Sequence, residues 1–104
     1  KMKKITYTKN DIIKRITSDT NISIDESRVM LETVLGTFKQ YFLKPDKSFR
    51  IEIRNFGVFE IKPTKPRHKA RNPKTLKLFK VPARRKLSFK PGKDIKMELN
   101  KEIK

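Results

Sequence analysis

The stretch from Ile61 to Lys93 constrains this chain more than any other part of its sequence. It holds thirteen Lys or Arg residues and no Asp or Glu, and four prolines interrupt it between residues 62 and 82. Unpaired cations are rarely buried, and proline cannot donate to a β-ladder, so this stretch cannot form a core. We predict an extended two-stranded ribbon with its turn near residues 72–75. A disordered solubilising loop is the alternative, which is disfavoured by the interleaved apolar residues Leu76, Leu78, Phe79 and Val81.

The overall charge indicates a polyanionic partner. The 104 residues carry a net charge of +17, from 28 basic and 11 acidic residues, and every carboxylate lies in 1–60 or 94–104. A field of this size attracts nucleic acid first, then acidic lipid or glycosaminoglycan. Cations spaced along an extended ribbon would follow DNA phosphates, and each contact would release a counterion. The predicted phosphate contacts of the ribbon are Lys62, Lys65, Arg67, Lys69, Arg71, Lys74, Lys77 and Lys80.

A second group of cations follows the ribbon. Arg84, Arg85 and Lys86 stand on the strand that leads out of it, and Lys90 and Lys93 complete the acid-free stretch. We predict that Arg84, Arg85 and Lys86 form a row that faces phosphates, and a role in the fold is the alternative interpretation. With Lys90 and Lys93, they complete the set of predicted DNA contacts.

Arg71-Asn72-Pro73 is the most distinctive motif of the ribbon. Arg and Asn suit the acceptors of the DNA minor groove, and an apolar proline at a turn tip suits insertion between base steps. An ordinary Asn-Pro turn is the alternative interpretation. The acid-free surroundings favour DNA contact, with Pro73 as the intercalating residue.

The first half of the chain predicts two helices. Thr8 is a candidate N-cap with Asp11 at the third helical position, and Asn21 marks a break. Ser23-Ile24-Asp25-Glu26 is a capping box that opens the longest helical pattern, which ends before Pro45. One face of this second helix is apolar at spacings of three and four, and we expect it to be buried. That apolar stripe consists of Leu31, Val34, Leu35, Phe38 and Phe42.

The second half changes to a period of two. Apolar residues alternate with charged ones from Phe49 to Ile53, and Asn55-Phe56-Gly57 makes a tight connection, with Gly57 serving the turn. A returning strand covers 58–61, and alternation resumes at Leu87 and Phe89. After Pro91-Gly92, apolar residues at 95, 99 and 103 predict a terminal helix. The fold is α+β without internal repeats. We expect a single domain over 1–104, with helices at about 6–45, sheet and arm at about 48–90, and a last helix at about 92–103.

The residues argue against an enzyme, a cofactor and a metal site. There is no Cys, His68 is the lone histidine, and no Gly-rich phosphate loop is present. The carboxylates lie on amphipathic helices where solvation explains them, so we expect no catalytic residues and no small-molecule substrate. No apolar run reaches the length of a signal peptide or a membrane span, so we expect a soluble cytoplasmic protein with no membrane partner.

Several motifs together resemble the bacterial HU/integration host factor family of nucleoid proteins. The two capped helices come first, and the order and spacing agree over about residues 6–100. The motifs that follow them are Phe56-Gly57-Val58-Phe59, Ala70-Arg71-Asn72-Pro73-Lys74-Thr75, Ala83-Arg84-Arg85 and Phe89-Lys90-Pro91-Gly92-Lys93. The last two look more like integration host factor than like typical HU.

The resemblance implies an intertwined dimer whose helices form the body and whose two β-ribbon arms embrace and bend duplex DNA. The wedge mechanism at Arg71, Asn72 and Pro73 is inherited from the family. The second subunit is expected to be the same chain, and a paralogue remains open, as does sequence-specific against non-specific binding. One departure is that Leu76 stands where family tips carry Gly, which predicts a different tip turn.

Two other function classes compete with DNA bending. An RNA-binding protein of ribosomal type fits the charge, but the sequence lacks the exposed aromatic pairs expected for single-strand recognition. An extracellular polyanion-binding factor fits the charge too, but no signal peptide is present. The sequence therefore predicts an architectural, histone-like protein of the bacterial nucleoid that condenses DNA.

Overall fold

The computed structural model describes residues 3–103 and divides the chain into two compact units, residues 1–44 and 45–104. The order of helices and strands confirms the predicted α+β class. Among the described residues, no helix is both long and apolar enough to cross a membrane. The elements are α1 (Lys9–Thr20), α2 (Ile24–Phe42), β1 (Phe49–Ile53), β2 (Gly57–Pro63), β3 (Arg67–Arg71), β4 (Leu78–Val81), β5 (Arg85–Pro91) and α3 (Lys93–Leu99).

Both helices of the first unit begin where their capping residues predict. The Asp11 carboxylate accepts hydrogen bonds from the Thr8 N–H (2.8 Å) and the Thr8 hydroxyl (3.0 Å). Both bonds lower the pKa of Asp11 because they stabilise its charged form, and the bond from the Thr8 backbone has the larger effect. The Ser23 hydroxyl oxygen accepts from the Glu26 N–H at 3.1 Å, and Asn21 ends α1 with a left-handed φ of 59°. Local side-chain chemistry therefore fixes the start of both helices and the end of α1.

The apolar stripe of α2 is only partly buried within one chain. In the described part of the first unit, the buried residues are Ile13 of α1 and Ser27 of α2. Leu35 remains 47% exposed and Val34 51% exposed. The Thr17 hydroxyl donates to the Ser27 hydroxyl at 2.8 Å, so a polar pair joins the two helices where they meet. The predicted burial of the stripe is therefore only partial in the single chain, with Leu31, Phe38 and Phe42 half-buried.

The second unit contains an antiparallel sheet in the order β1-β2-β5. Strand β1 alternates half-buried and exposed residues as predicted, and Ile61 of β2 is buried. The rings of Phe56, Phe59 and Phe89 cluster, with centroid distances of 4.8 Å between Phe59 and Phe89 and 5.3 Å between Phe56 and Phe89. This aromatic cluster packs β2 against β5 and thereby supports the two strands that lead into the ribbon.

Gly57 serves close packing rather than the turn itself. In the β1–β2 connection the left-handed φ belongs to Asn55, at 65°, while no glycine among the described residues has a positive φ. A Cβ on Gly57 would lie 2.5 Å from the Lys90 carbonyl oxygen and 2.6 Å from the Phe89 ring. The prediction that Gly57 supplies the turn was wrong because Asn also tolerates the left-handed region.

The last helix is shorter than the apolar spacing predicted. Helix α3 ends at Leu99, and Asn100 caps it with its N–H bonded to the Lys96 carbonyl. The predicted continuation to 103 was wrong, and Ile103 lies outside the helix at 86% exposure. Apolar spacing extends a helix only where the face is packed, and Leu99 is also mostly exposed.

Candidate nucleic-acid interface

The acid-free stretch forms the predicted two-stranded ribbon. Strands β3 and β4 pair antiparallel as a sheet of their own, with a register shift between Arg67 and Ala70. Two hydrogen bonds join the segment between β2 and β3 to the segment between β4 and β5. The Thr64 N–H donates to the Arg84 carbonyl (2.6 Å), and the Arg84 N–H donates to the Thr64 hydroxyl (2.9 Å). We call residues 64–84 the arm.

Asn72 organises the tip of the arm. Its N–H donates to the Lys77 carbonyl at 3.0 Å, and its carbonyl accepts from the Leu76 N–H at 2.7 Å. Its side-chain oxygen accepts from the Lys74 N–H at 2.8 Å and, more weakly, from the Thr75 N–H at 3.4 Å. The predicted turn at 72–75 is therefore present. The Asn72 oxygen holds the turn, while its NH₂ group is the part of the side chain that can donate to groove acceptors.

Leu76 completes the tip in the left-handed region, with φ 61°. Leu disfavours this conformation, so the sequence predicts a different turn. In the structure Leu76 nevertheless adopts it, at a cost of about 1–2 kcal/mol for a residue with a Cβ. Two hydrogen bonds with the Asn72 backbone, one from the Leu76 N–H and one to the Lys77 carbonyl, hold the backbone in this conformation. The Leu76 side chain is 64% exposed.

Nearly all predicted DNA contacts are exposed. The side chain of Lys69, another predicted contact, lies outside the described part of the structure, as do those of His68 and Phe79. No group of three or more potential metal ligands occurs among the described residues. The exposed set is Lys62, Lys65, Arg67, Arg71, Asn72, Pro73, Lys74, Lys77, Lys80, Arg84, Arg85, Lys86, Lys90 and Lys93.

The structure concentrates cations at the root of the arm. Lys62 of β2 lies directly opposite Lys86 of β5, and Arg85 lies opposite Pro63. Like charges facing each other across a ladder are unfavourable unless a counter-charge is near. The Arg85 guanidinium also donates to the Asp46 carbonyl at 3.1 Å, which ties it to the segment before β1. This root is suited to an anion that spans both strands.

Glu60 is a member of this region that sequence reasoning missed. Its carboxylate, 14% exposed, forms ion pairs with Lys90 (3.0 Å) and Lys62 (3.5 Å). The hydrogen bond from Lys90 lowers the pKa of Glu60, burial opposes this, and the charge of Lys62 adds to the lowering. The available signal was that Glu60 is the last carboxylate before the acid-free stretch. Two predicted DNA contacts are thus partly neutralised within the chain.

Comparison with known proteins decides the family. The model of the bacterial DNA-binding protein family matches residues 7–100, nearly the whole chain. The chain belongs to this family. The resemblance to HU and integration host factor proteins is thereby confirmed.

Individual relatives of this HU/integration host factor family agree. Integration host factor subunit alpha of Myxococcus xanthus is 38% identical over 95 residues, which cover 91% of this chain and 70% of that protein. DNA-binding protein HU of Thermotoga maritima is 33% identical over 89 residues, covering 86% and 94%. An Anabaena HU–DNA cocrystal structure has the same fold, with a TM-score of 0.77 and 23% identity over 90% of this chain and 98% of that one.

Membership also bears on catalysis. The HU/integration host factor family consists of non-enzymatic, architectural DNA-binding proteins. The prediction that this chain is not an enzyme is therefore confirmed.

Proposed function

We propose that this architectural DNA-binding protein bends and compacts duplex DNA by placing its arm in the minor groove. The observation that carries this proposal is the arm itself: a two-stranded ribbon without carboxylates, attached to a sheet whose exposed cations converge at the root. Cations along a ribbon match the phosphates that line both sides of a groove. The two units of the chain act as one DNA-binding domain of 104 residues.

The phosphate contacts divide into two sets. Cations of the arm follow the groove, and cations at the root meet phosphates outside it. Lys62 and Lys90 must leave Glu60 to join the second set, because a carboxylate and a phosphate compete for the same ammonium group. The proposed contacts are Lys62, Lys65, Arg67, Lys69, Arg71, Lys74, Lys77, Lys80, Arg84, Arg85, Lys86, Lys90 and Lys93.

The tip supplies the bend. Pro73 is exposed at the turn that Asn72 holds, and its rigid ring has no N–H to leave unpaired on insertion. Unstacking a base step costs a few kcal/mol, which is offset when the bent duplex wraps more protein. Arg71 and the NH₂ group of Asn72 would donate to groove acceptors and hold the register.

A second copy of the chain would complete the protein. The half-exposed side chains of Val34 and Leu35 on the apolar stripe of α2 support a homodimer, and the same argument admits a paralogue as partner. Two arms then approach DNA from one body. We propose a nucleoid location in the bacterial cytoplasm, in keeping with DNA as the proposed ligand. Family membership favours duplex DNA over the ribosomal type of RNA binding that the charge alone permits.

Energy transfer between dyes at the two ends of a short duplex tests the proposal. The parent protein should shorten the end-to-end distance. Pro73→Ala should reduce the bend more than it reduces binding at low salt, because the arm keeps all its cations. Lys74→Ala, at the same tip, should show the reverse: weaker, less salt-dependent binding with the bend at saturation retained. A parent that binds without bending refutes the function, and a Pro73→Ala protein that bends like the parent refutes the wedge.

A further inference from the structure

Position 76 is where local backbone preference and sequence disagree. The loop between Asn72 and Lys77 needs a left-handed residue there to return the chain to β4, and φ at Leu76 is 61°. Gly or Asn would adopt this conformation at little cost, whereas Leu does so against its preference. Asn21 and Asn55, the other non-glycine residues with positive φ in the described chain, are both of the tolerant type.

Packing within the chain does not account for Leu76. Its side chain is 64% exposed, and Leu78, two residues on, is 59% exposed. A leucine that is both conformationally strained and open to water contributes little to the stability of the folded chain. Backbone strain of this kind clusters at ligand contacts and other functional sites.

The surroundings of Leu76 indicate which ligand covers it. Arg71, Lys74 and Lys77 flank it, and no carboxylate lies between residues 61 and 93. A surface of cations around an apolar side chain matches a DNA groove, which has phosphates along its rims and sugar C–H groups and base edges between them. Leucine is among the apolar residues that wedge base steps in minor-groove proteins.

We propose that Leu76 is a second apolar DNA contact, so that each arm tip carries two apolar side chains, Pro73 and Leu76, to the minor groove. This inference rests on the proposed function of the arm. Leu76 would determine how strongly the protein prefers sites that are already easy to unstack, such as nicked or mismatched duplexes. Its strained backbone is then the consequence of placing a large apolar side chain where the turn geometry favours Gly.

Three substitutions separate this role from a structural one. Leu76→Asn and Leu76→Gly fit the left-handed turn better than Leu but remove the apolar surface. Leu76→Met keeps an apolar side chain and the unfavourable backbone preference. If position 76 mattered only for turn geometry, the Asn and Gly variants would bind DNA at least as tightly as the parent. The Met variant would bind DNA no more tightly than the parent.

We expect the opposite order. By dye-end energy transfer and fluorescence anisotropy on nicked and intact duplexes, Leu76→Asn and Leu76→Gly should lose about tenfold in affinity for the nicked duplex, as partial loss of a buried leucine implies. The bend should be smaller. The slope of log affinity against log salt should be unchanged, because no cation is removed. Leu76→Met should stay within about twofold of the parent, a margin we set from the volume-conserving nature of the exchange.

The possible failures are distinguishable. If the parent does not bend DNA, the proposed function itself is wrong. If the parent bends DNA and the Asn and Gly variants bind and bend like it, this inference alone is wrong. If Leu76→Asn instead abolishes association of the DNA-free protein into larger species and leaves DNA binding intact, Leu76 covers another protein copy and the inference is again overturned.

Discussion

At the residue scale, Glu60 shows how one side chain can oppose the charge of its surroundings. It stands at the root of a strongly cationic arm and holds Lys62 and Lys90 in ion pairs. If these lysines bind phosphates as we propose, both pairs must break, and the free energy of breaking them reduces the net attraction between protein and DNA. On this proposal the Glu60 carboxylate limits DNA affinity and stabilises the DNA-free protein.

Glu60→Gln should tighten DNA binding. Both lysines would become available, so the slope of log affinity against log salt should steepen by about 0.9 for each one that gains a phosphate. Glu52→Gln is the matched control, since Glu52 pairs at 2.9 Å with Arg50 of β1, which is not among the proposed DNA contacts. Anisotropy titrations at several salt concentrations measure both variants. Equal effects of the two substitutions would mean that only net charge matters.

The pKa of Glu60 adds a pH dependence to this prediction. Because the folded protein lowers that pKa, Glu60 stabilises the fold above its unfolded pKa and loses this contribution as the pH falls through its folded value. Glu60→Gln should therefore destabilise the free protein at neutral pH, and the difference from the parent should vanish in acid. Denaturant unfolding at a series of pH values measures it. A difference that grows toward acid pH would contradict the ion-pair account.

Gly57→Ala should destabilise the protein by about 1–3 kcal/mol, as overpacking does in a closely packed site. The new Cβ would meet the Lys90 carbonyl and the Phe89 ring, and moving either disturbs the β2–β5 pairing. Gly36→Ala is the control: nothing lies within 4 Å of its Cβ, and alanine in a helix interior should stabilise by about 0.5–1 kcal/mol. Urea unfolding compares the two, and similar midpoints for both variants would exclude the steric argument.

At the element scale, the arm is a separate sheet on a short connection. The β2–β5 pairing ends at Pro63 and Arg85, and the β3–β4 pairing begins at Arg67 and Val81. Prolines 66 and 82 lie between, so the connection depends on Thr64 and Arg84 rather than on a continuous ladder. This arrangement lets the arm be a distinct element while its root cations stay fixed on the sheet.

Arg84 and Arg85 should differ when each is replaced by Ala. Both substitutions should flatten the salt dependence of binding by about 0.9 if each arginine meets a phosphate, and they should weaken all sequences about equally. Arg84 uses its backbone in the arm connection, so its side chain is dispensable for folding. Arg85→Ala should in addition lower stability, because its guanidinium holds the Asp46 carbonyl. Salt titrations and thermal unfolding separate the two effects. An unchanged slope for both would place the phosphate contacts elsewhere, for example at Lys3, Lys4 and Lys9.

How well the sequence predicted these elements depends on how local their causes are. The starts of α1 and α2 follow from Thr8 and Ser23, and strand β1 follows from simple alternation, because each depends on neighbours a few residues away. The role of Glu60 depends on the β2–β5 register, and the need for Gly57 depends on Phe89 and Lys90 across that pair. The β2–β5 partners lie 22 to 34 positions apart in the chain, and no short sequence pattern encodes such a pairing.

The tip shows the same division. The turn was predictable from Asn72-Pro73, since Asn side chains cap turns of this kind. The left-handed Leu76 was not, because its own preference points away from the observed φ and the surrounding hydrogen bonds override it. The end of α3 was missed for a related reason, as apolar spacing continued to Ile103 without a surface to pack against.

At the scale of the whole molecule, a single chain leaves its helical unit with too small a core. Within the described residues of that unit, Ile13 and Ser27 are buried, while Val34 and Leu35 of the stripe on α2 stay about half exposed. Stripes of this width at helical spacing are normally covered. A second copy of the chain is the cover we propose, and folding and association would then be one process.

Two substitutions of apolar residues by Ala on α2 test the proposed dimer. Leu35, on the stripe, and Val29, on the other side of the helix by its 3.6-residue period, are 47% and 62% exposed in the single chain. If the chain folds alone, Leu35→Ala and Val29→Ala should both change stability by less than about 0.5 kcal/mol, as surface changes do. If the stripe is covered by a second copy, Leu35→Ala should cost about 2–5 kcal/mol of stability and Val29→Ala should remain near neutral.

The parent's thermal midpoint should also rise with protein concentration, because dimerisation stabilises only the folded state. Sedimentation at micromolar concentration and melts over a hundredfold range of concentration measure these outcomes, and a folded monomer with a concentration-independent midpoint would contradict the obligate dimer.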